Sequence, residues 1–441
     1  MRRRPGGRGA RRVRGADRLG ALPDAVLQHV LSFLPSRDAV RTSVLARRWR
    51  HQWKSVPALR ITGVDAFESA RHLNGFVNHL IVLRDRTTLH ACEIVAYLKY
   101  EDYGEGSRDD DDEERERYTD LWVRYALSCH ARLLRLSDHD TDNHDAKHEV
   151  LRSVILATPI SSPHLTTLDF DGVHFSDECS LDFSGCPNLE TLKMSRCSFL
   201  SVLSYDISSP SVRCLSITDC DFRRIDEKKQ AIISVPSLVY LELAAERGMV
   251  PAFESTPSLL SASIKLEDSA HSWIRDEKDA SLLLERFSDV TTSLDLIADR
   301  QQLAFRKDLK LCATFTKLRI LSLNDWCVEP DFGPLLYILR RSPSLEKLRL
   351  RLSKPYLAAE ETDGSYDSTE PFLVSKHLKV VEIKCRAKDE RAHRISKALC
   401  SYGVSADKIN IKERIRSSDG IYYESDTSIH SYSDPEKYQL D

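Results

Sequence analysis

Asp138, Asp140, Asp142 and Glu149 fall at positions 1, 3, 5 and 12 of a twelve-residue loop. That spacing would offer calcium the hard oxygen ligands it prefers. Position 6 of such a loop needs a sharp turn, which glycine supplies best. Here it is Asn143, which accepts left-handed geometry less readily. The residues before Asp138 read as a strand, where a calcium loop needs an entering helix. The better reading is an acidic surface loop, with His139, His144 and His148 as bystanders. Other chemistry has no motif. There is no G-x-S-x-G, no H-E-x-x-H, no P-loop and no G-x-G-x-x-G. The 11 cysteines include no C-x-x-C, so zinc spacing is absent. No catalytic residue, no metal and no cofactor are expected.

Composition narrows the classes further. The chain has 441 residues, room for two or more domains. At 41% hydrophobic residues it can build a core, and a formal net charge of −3 gives no whole-chain case for nucleic acid or membrane. An odd cysteine count without a secretory segment suggests free thiols in a reducing compartment, nucleus or cytoplasm. No apolar stretch approaches the roughly 18 residues of a membrane span. Residues 1–16 are mostly Arg and Gly and predict a disordered tail, either a nuclear import or nucleic-acid contact or a plain solvated arm.

The elements that organise the chain begin at Leu22. Between Leu22 and Trp53 the spacing predicts three short helices. Pro23 suits a first turn, with Asp24 beside the positive helix end. Val26, Leu27, Val30, Leu31 and Leu34 form an apolar stripe that Pro35 ends. Val40 and Val44 lie one turn apart, as do Trp49 and Trp53. So short a segment cannot cover that many apolar side chains by itself, and an uncovered patch marks an interface. The order Leu22-Pro23, Leu34-Pro35, Ser43-Val44-Leu45 and Trp49-Arg50-x-x-Trp53 resembles the F-box. The resemblance implies a helical hook that docks on a Skp-family adaptor and through it on a cullin–RING ligase. Its expected adaptor-binding residues are Leu22, Pro23, Val26, Leu27, Val30, Leu31, Leu34, Pro35, Val40, Val44, Leu45, Trp49 and Trp53. Ala46 departs from the family's usual Ser and forgoes a cap worth roughly 1 kcal/mol. The competing reading is a small helical domain or a DNA-reading helix-turn-helix with a basic last helix.

Beyond the hook, strands are predicted at Val56–Ile61, Thr88–Leu98 and Leu133–Leu136, with helices over 65–83 and from Thr119 to Cys129. Residues 101–117 are acidic and predict an exposed loop. From Leu165 a unit L-x-x-L-x-L recurs: Leu165, Leu168, Phe170; Leu189, Leu192, Met194; Val212, Leu215, Ile217; Leu238, Leu241, Leu243; Leu259, Ala262, Ile264. It returns at Leu318, Leu321, Leu323; Leu345, Leu348, Leu350; and Leu378, Val381, Ile383. Six of these eight units have Pro two residues before them. The first intervals, 24, 23, 26 and 21 residues, fall in the leucine-rich-repeat range. Cys197 and Cys220 sit where such repeats use a small buried polar group, a structural role. A polar loop is expected over 360–370. The strand HLKVVEIK, a helix near Glu390–Leu399 and a strand at Lys408–Ile411 resemble the FBD segment of plant F-box/leucine-rich-repeat proteins.

The expected fold is therefore α/β: a small N-terminal helical F-box followed by an irregular leucine-rich-repeat solenoid. The expected domains are a disordered tail 1–16, F-box 17–56, repeats 57–371, FBD-like segment 372–414 and a disordered tail 415–441. The resemblance implies a non-catalytic substrate-recognition subunit of a Skp–cullin–F-box ubiquitin ligase. A non-ligase repeat scaffold is the alternative, and an enzyme or a nucleic-acid binder fits less well. Partners would be the adaptor and a target protein, with no membrane. Residues between the buried leucines point to one face. There Lys347, Arg349, Arg351 and Lys384 form a basic cluster expected to grip an acidic or phosphorylated target segment, or else to be a solvated charged face.

Overall fold

The computed structural model describes residues 19–62, 67, 70–96, 108–138, 154–157, 159–176, 179–199, 206–220, 231–245, 251–266, 283–288, 291–298, 305, 309, 314–328, 332–353, 376–386, 389–416 and 422–424. The Arg-rich segment, the calcium-spaced loop after Asp138 and the polar loop 360–370 lie outside these. The chain divides into two compact units, Met1–Ser153 and Val154–Asp441.

The first unit opens with α1 (Asp24–Leu31) and α2 (Ser36–Arg41). Each is entered from a proline, Pro23 or Pro35, whose fixed φ suits the position before a first turn. The second expected helix ends in a 3-10 turn over Thr42–Val44, and the third is 3-10 rather than α over Arg47–Ser55. Ala46 precedes the longer stretch in an extended conformation and offers no side-chain cap, though its carbonyl accepts from the Trp49 amide at 3.0 Å. The segment is instead pinned from outside. The Arg48 guanidinium donates to the carbonyls of Gly20 and Leu22 and pairs with Asp24 at 2.9 Å.

Three parallel strands follow, Ala58–Ile61, Ala91–Ala96 and Leu133–Asp138, separated by α3 (Ala70–Leu83) and α4 (Arg108–Ser128). Leu59 pairs in register with Cys92 and Cys92 with Leu134, while Ile61, Ile94 and Leu136 form the next row, all buried. With Val56, Leu89 and Ala131 before them, these strands carry the same i, i+3, i+5 burial unit found downstream. The repeat thus starts at Val56, more than 100 residues before its leucines become conspicuous. The expected loop 101–117 is corrected in part, because α4 starts at Arg108. Acidic residues favour the positive N-terminal end of a helix, and Glu and Arg are good helix formers.

The second unit is a repeat-like parallel sheet of ten strands, Thr167–Asp171, Thr191–Ser195, Cys214–Thr218, Tyr240–Ala245, Ser261–Leu266, Ser293–Ala298, Ile320–Asn324, Lys347–Arg351, Val380–Arg386 and Ile409–Arg416. Their pairing never slips. Leu168, Leu192, Leu215, Leu241, Ala262, Leu294, Leu321, Leu348 and Val381 share one buried row. Such alternation fixes register, since a one-residue slip would turn every leucine outward. The strand Ser293–Ala298 belongs to a unit absent from the sequence expectation. Its first position is Thr291, fully buried, whose hydroxyl donates to the Phe287 carbonyl at 2.8 Å. Cys197 and Cys220 are buried, as expected for structural thiols, and donate to carbonyls of neighbouring strands.

The C-terminal expectation also needs correction. Strand Ile409–Arg416 runs past residue 414, and Tyr422–Glu424 returns antiparallel along it, with Arg416 opposite Tyr422 and Arg414 opposite Glu424. Tyr422 and Tyr423 have side chains that favour a strand.

Candidate docking site

Helix α1 carries two apolar stripes where the sequence suggests one. Leu27 and Leu31, each 1% exposed, face inward with Ala39, Trp53, Val56 and Leu80. Val26, Val30 and Phe33, at i, i+4 and i+7, face out, and Phe33 is 66% exposed. The expected docking set therefore splits. Leu27, Leu31 and Trp53 are core residues and lie beyond a partner's reach. Burying them is what holds α1 against the 3-10 segment and the first strand. Pro23, Val26, Val30, Leu34, Val44 and Leu45 are exposed, Val44 at 84%, while Leu22, Pro35, Val40 and Trp49 are half-buried. Phe33 joins them unforeseen, although its i+7 spacing from Val26 was a usable signal.

Polar contacts fix this surface from beneath. Arg48 and then Gln52 hold the Asp24 carboxyl below its usual range. Gln28 donates to Gln52 across α1 and the 3-10 segment at 3.1 Å. Arg60 donates to the Ser32 carbonyl at 2.7 Å, and its amide donates to the Ser36 hydroxyl at 3.0 Å. Arg84, buried, donates to the carbonyls of Val56 at 2.5 Å and Trp53 at 3.3 Å. The exposed apolar residues thus ride on a clamped base and need not be ordered by a partner.

The basic cluster of the second unit is real but largely paired. Lys347, Arg349 and Arg351 lie on the polar face of their strand, opposite buried Leu348 and Leu350. Lys347 and Arg349 share Glu382, at 2.9 and 3.3 Å, and Arg351 reaches Asp295 at 3.2 Å. Burial pushes the Glu382 carboxyl up, yet Lys347, Arg349 and Lys412 hold it below its ordinary value. Asp295 goes the other way, raised by burial against the pull of Arg351 and Arg349. Its Oδ1 has no hydrogen-bond partner among the described residues. Lys384 stands in register beside Arg351.

Among the described residues there is no metal-competent cluster of His, Cys, Asp and Glu, ten cysteines are free, and no helix is long and apolar enough to cross a membrane. Burial raises the Cys197 thiol well above its ordinary value, with Cys220 adding to the effect, which disfavours the nucleophilic thiolate.

Comparison with known proteins fits this geometry. A family model described as the F-box domain matches residues 19–60, the segment that bears the clamped apolar surface. A putative F-box/FBD/LRR-repeat protein of Arabidopsis thaliana is 29% identical over 280 residues, covering 60% of this chain and 61% of that protein. A second Arabidopsis F-box/FBD/LRR-repeat protein is 31% identical over 276 residues, covering 57% and 56%. An FBD-associated F-box protein of the same plant is 24% identical over 411 residues, covering 88% of this chain and 87% of its own length. The chain thus spans about three fifths of the first two relatives. Together these matches support a plant F-box/leucine-rich-repeat protein of the FBD type.

Proposed function

We propose that the chain is the substrate-recognition subunit of a Skp–cullin–F-box ubiquitin ligase, working in the nucleus, the cytoplasm or both. The observation that carries this is the outward stripe Val26, Val30, Phe33, Val44 and Leu45, held on a rigid base within the matched F-box segment. A Skp-family adaptor would cover it. The repeat units would stack as an irregular leucine-rich-repeat solenoid closed by the FBD-like segment 372–414. Its polar face, with Lys347, Arg349, Arg351 and Lys384, would take an acidic target segment. Arg suits that task because its fork meets carboxylate or phosphate with two hydrogen bonds. The subunit itself is non-catalytic, and ubiquitin is transferred by the cullin–RING partners.

Adaptor capture by the purified chain tests the reading. Val30→Asp with Phe33→Asp should abolish it and leave circular dichroism and melting nearly unaltered, since both side chains are exposed. Capture that survives in the folded variant would favour a repeat scaffold without a ligase role.

A further inference from the structure

The stretch that carries Val44 and Leu45 has a second property. Residues 39–64 contain six Arg or Lys and no Asp or Glu. Four of these cations are already engaged. Arg41 pairs with Asp38 at 3.3 Å, Arg48 with Asp24 at 2.9 Å and Arg60 with Glu93, while Lys54 lies over the Trp53 ring. Arg47 and Arg50 are exposed and have no such partner among the described residues. They stand one turn apart on the 3-10 segment Arg47–Ser55. Every residue from Val44 to Arg48 is exposed, so the ridge runs from two apolar side chains straight into unpaired charge.

This end of the segment is tied to the start of α1, the helix that bears the outward stripe. The tie is Arg48, which lies between the two free cations in sequence and pairs with Asp24 in the first turn of α1. Arg47 and Arg50 thus border the apolar surface at a fixed place. A partner that covers Val44 and Leu45 also takes water from these guanidinium groups. A cation desolvated without a counter-charge is strongly unfavourable, so the covering face must bring acceptors of its own. Carboxylates fit best, since Arg meets them with two parallel hydrogen bonds. The phosphates of a nucleic acid would meet the cations but leave the apolar ridge uncovered, whereas a protein face can meet both.

We infer that the partner docked here presents a carboxylate-bearing segment to Arg47 and Arg50, and that these two cations steer its approach and set its orientation on the apolar ridge. This rests on the docking reading above and names the chemistry of the face that the ridge meets. Steering acts mainly on the association rate, whereas the buried apolar contacts govern dissociation.

Binding kinetics of the full chain, with a recombinant plant Skp-family adaptor as the probe, test it. Arg47→Glu with Arg50→Glu should slow association roughly ten- to hundredfold at about 50 mM salt, within the range of electrostatic steering. Raising salt to about 500 mM should slow the parent and bring the two rates together, as screening removes the difference. Dissociation should change less, and melting should stay nearly unaltered, since both side chains are exposed. Lys397→Glu with Arg213→Glu makes the same charge change at exposed positions of the second unit. It should leave the association rate within about twofold, because steering is confined to nearby charge. Arg47→Lys with Arg50→Lys keeps the charge and supplies amines, so a zero-length carbodiimide should join the substituted positions to Asp or Glu of the adaptor. An association rate indifferent to Arg47→Glu with Arg50→Glu, or slowed as much by the distant pair, would overturn the inference, as would the absence of those cross-links. Binding of a short DNA duplex that the same Glu variant abolishes, with adaptor association unaffected, would overturn it in favour of nucleic acid. Failure of the folded parent to capture the adaptor at any salt removes the docking reading and this inference with it. Capture with a salt-insensitive association rate removes this inference alone.

Discussion

Arg391 meets Asp325 across 66 residues of chain, Nη1 to Oδ1 at 2.9 Å, while the same guanidinium holds Asp389 at 2.8 Å. Asp325 also accepts from the amide and hydroxyl of Ser353, at 3.0 and 2.9 Å. One cation thus joins the end of strand Ile320–Asn324, the exit of strand Lys347–Arg351 and the capped start of helix Glu390–Ser401.

Arg391→Met should therefore destabilise the second unit by about 2–3 kcal/mol, at or below the cost of breaking a buried pair, because both carboxylates remain. Arg391 holds the Asp389 carboxyl below its usual range. A depressed carboxylate stabilises above its unfolded-state pKa, and that contribution fades as pH falls through the folded-state value. The deficit of the variant should accordingly shrink in acid, below the ordinary aspartate range. Urea melts at several pH values check this.

On α1 the two stripes should answer differently to mutation. Leu27→Ala should cost about 2–5 kcal/mol, the usual range for a buried leucine. Phe33→Ala should leave the melting midpoint within a degree or two, yet weaken adaptor capture at least tenfold. If both variants melt alike, the assignment of the inward stripe is wrong.

Thr291 fills a leucine position with its hydroxyl already satisfied. The Phe287 carbonyl that it reaches also receives the Thr291 amide, at 3.2 Å. Thr291→Val should thus be nearly neutral, within about 1 kcal/mol, since the carbonyl keeps a donor. Thr291→Asp should be strongly destabilising, as it buries an uncompensated charge. Chemical denaturation of the two variants checks the contrast.

Arg351→Gln should expose the cost of Asp295. Burial raises the Asp295 carboxyl above its ordinary value in the folded chain. Such a group binds its proton more tightly when folded, so it favours the fold at low pH and opposes it once pH rises. Losing Arg351 removes the main opposing pull. The variant should trail the parent most at neutral pH and recover toward pH 4. Charge reversal to Glu is a poorer test, because it sets a second carboxylate beside the first.

Thiol labelling offers a check on burial. Cys400 is exposed and should react promptly with a maleimide in the native chain. Cys92, whose thiol burial pushes up to about 12, should react only after unfolding. Peptide mapping of the labelled protein separates the two.

What the sequence revealed followed the chemistry of burial. Leu168, Leu192 and Leu215 announce their row because each is large, apolar and spaced alike. The 59-residue gap from Leu259 to Leu318 hid a unit, since Thr291 is not apolar by type. Upstream, Cys92 and Ala131 disguised the same repeat for a similar reason. The single stripe expected on α1 became two, because spacing alone does not say which side of a helix the rest of the fold takes. Arg351 and Asp295, 56 residues apart, could not be paired from sequence, so the basic cluster looked freer than it is.

The unbroken register has a bearing on how such a chain can diverge. In the second unit, from Leu165 to Leu378, consecutive repeats are separated by 21 to 33 residues, yet their strands meet in the same alignment. Length variation is absorbed in the return segments and never reaches the ladder. Inward positions answer to packing, and outward ones such as Ser263 and Arg349 answer mainly to what they touch. A new specificity can then arise by one outward substitution at a time, each nearly independent of the core, on a scaffold that need not be rebuilt.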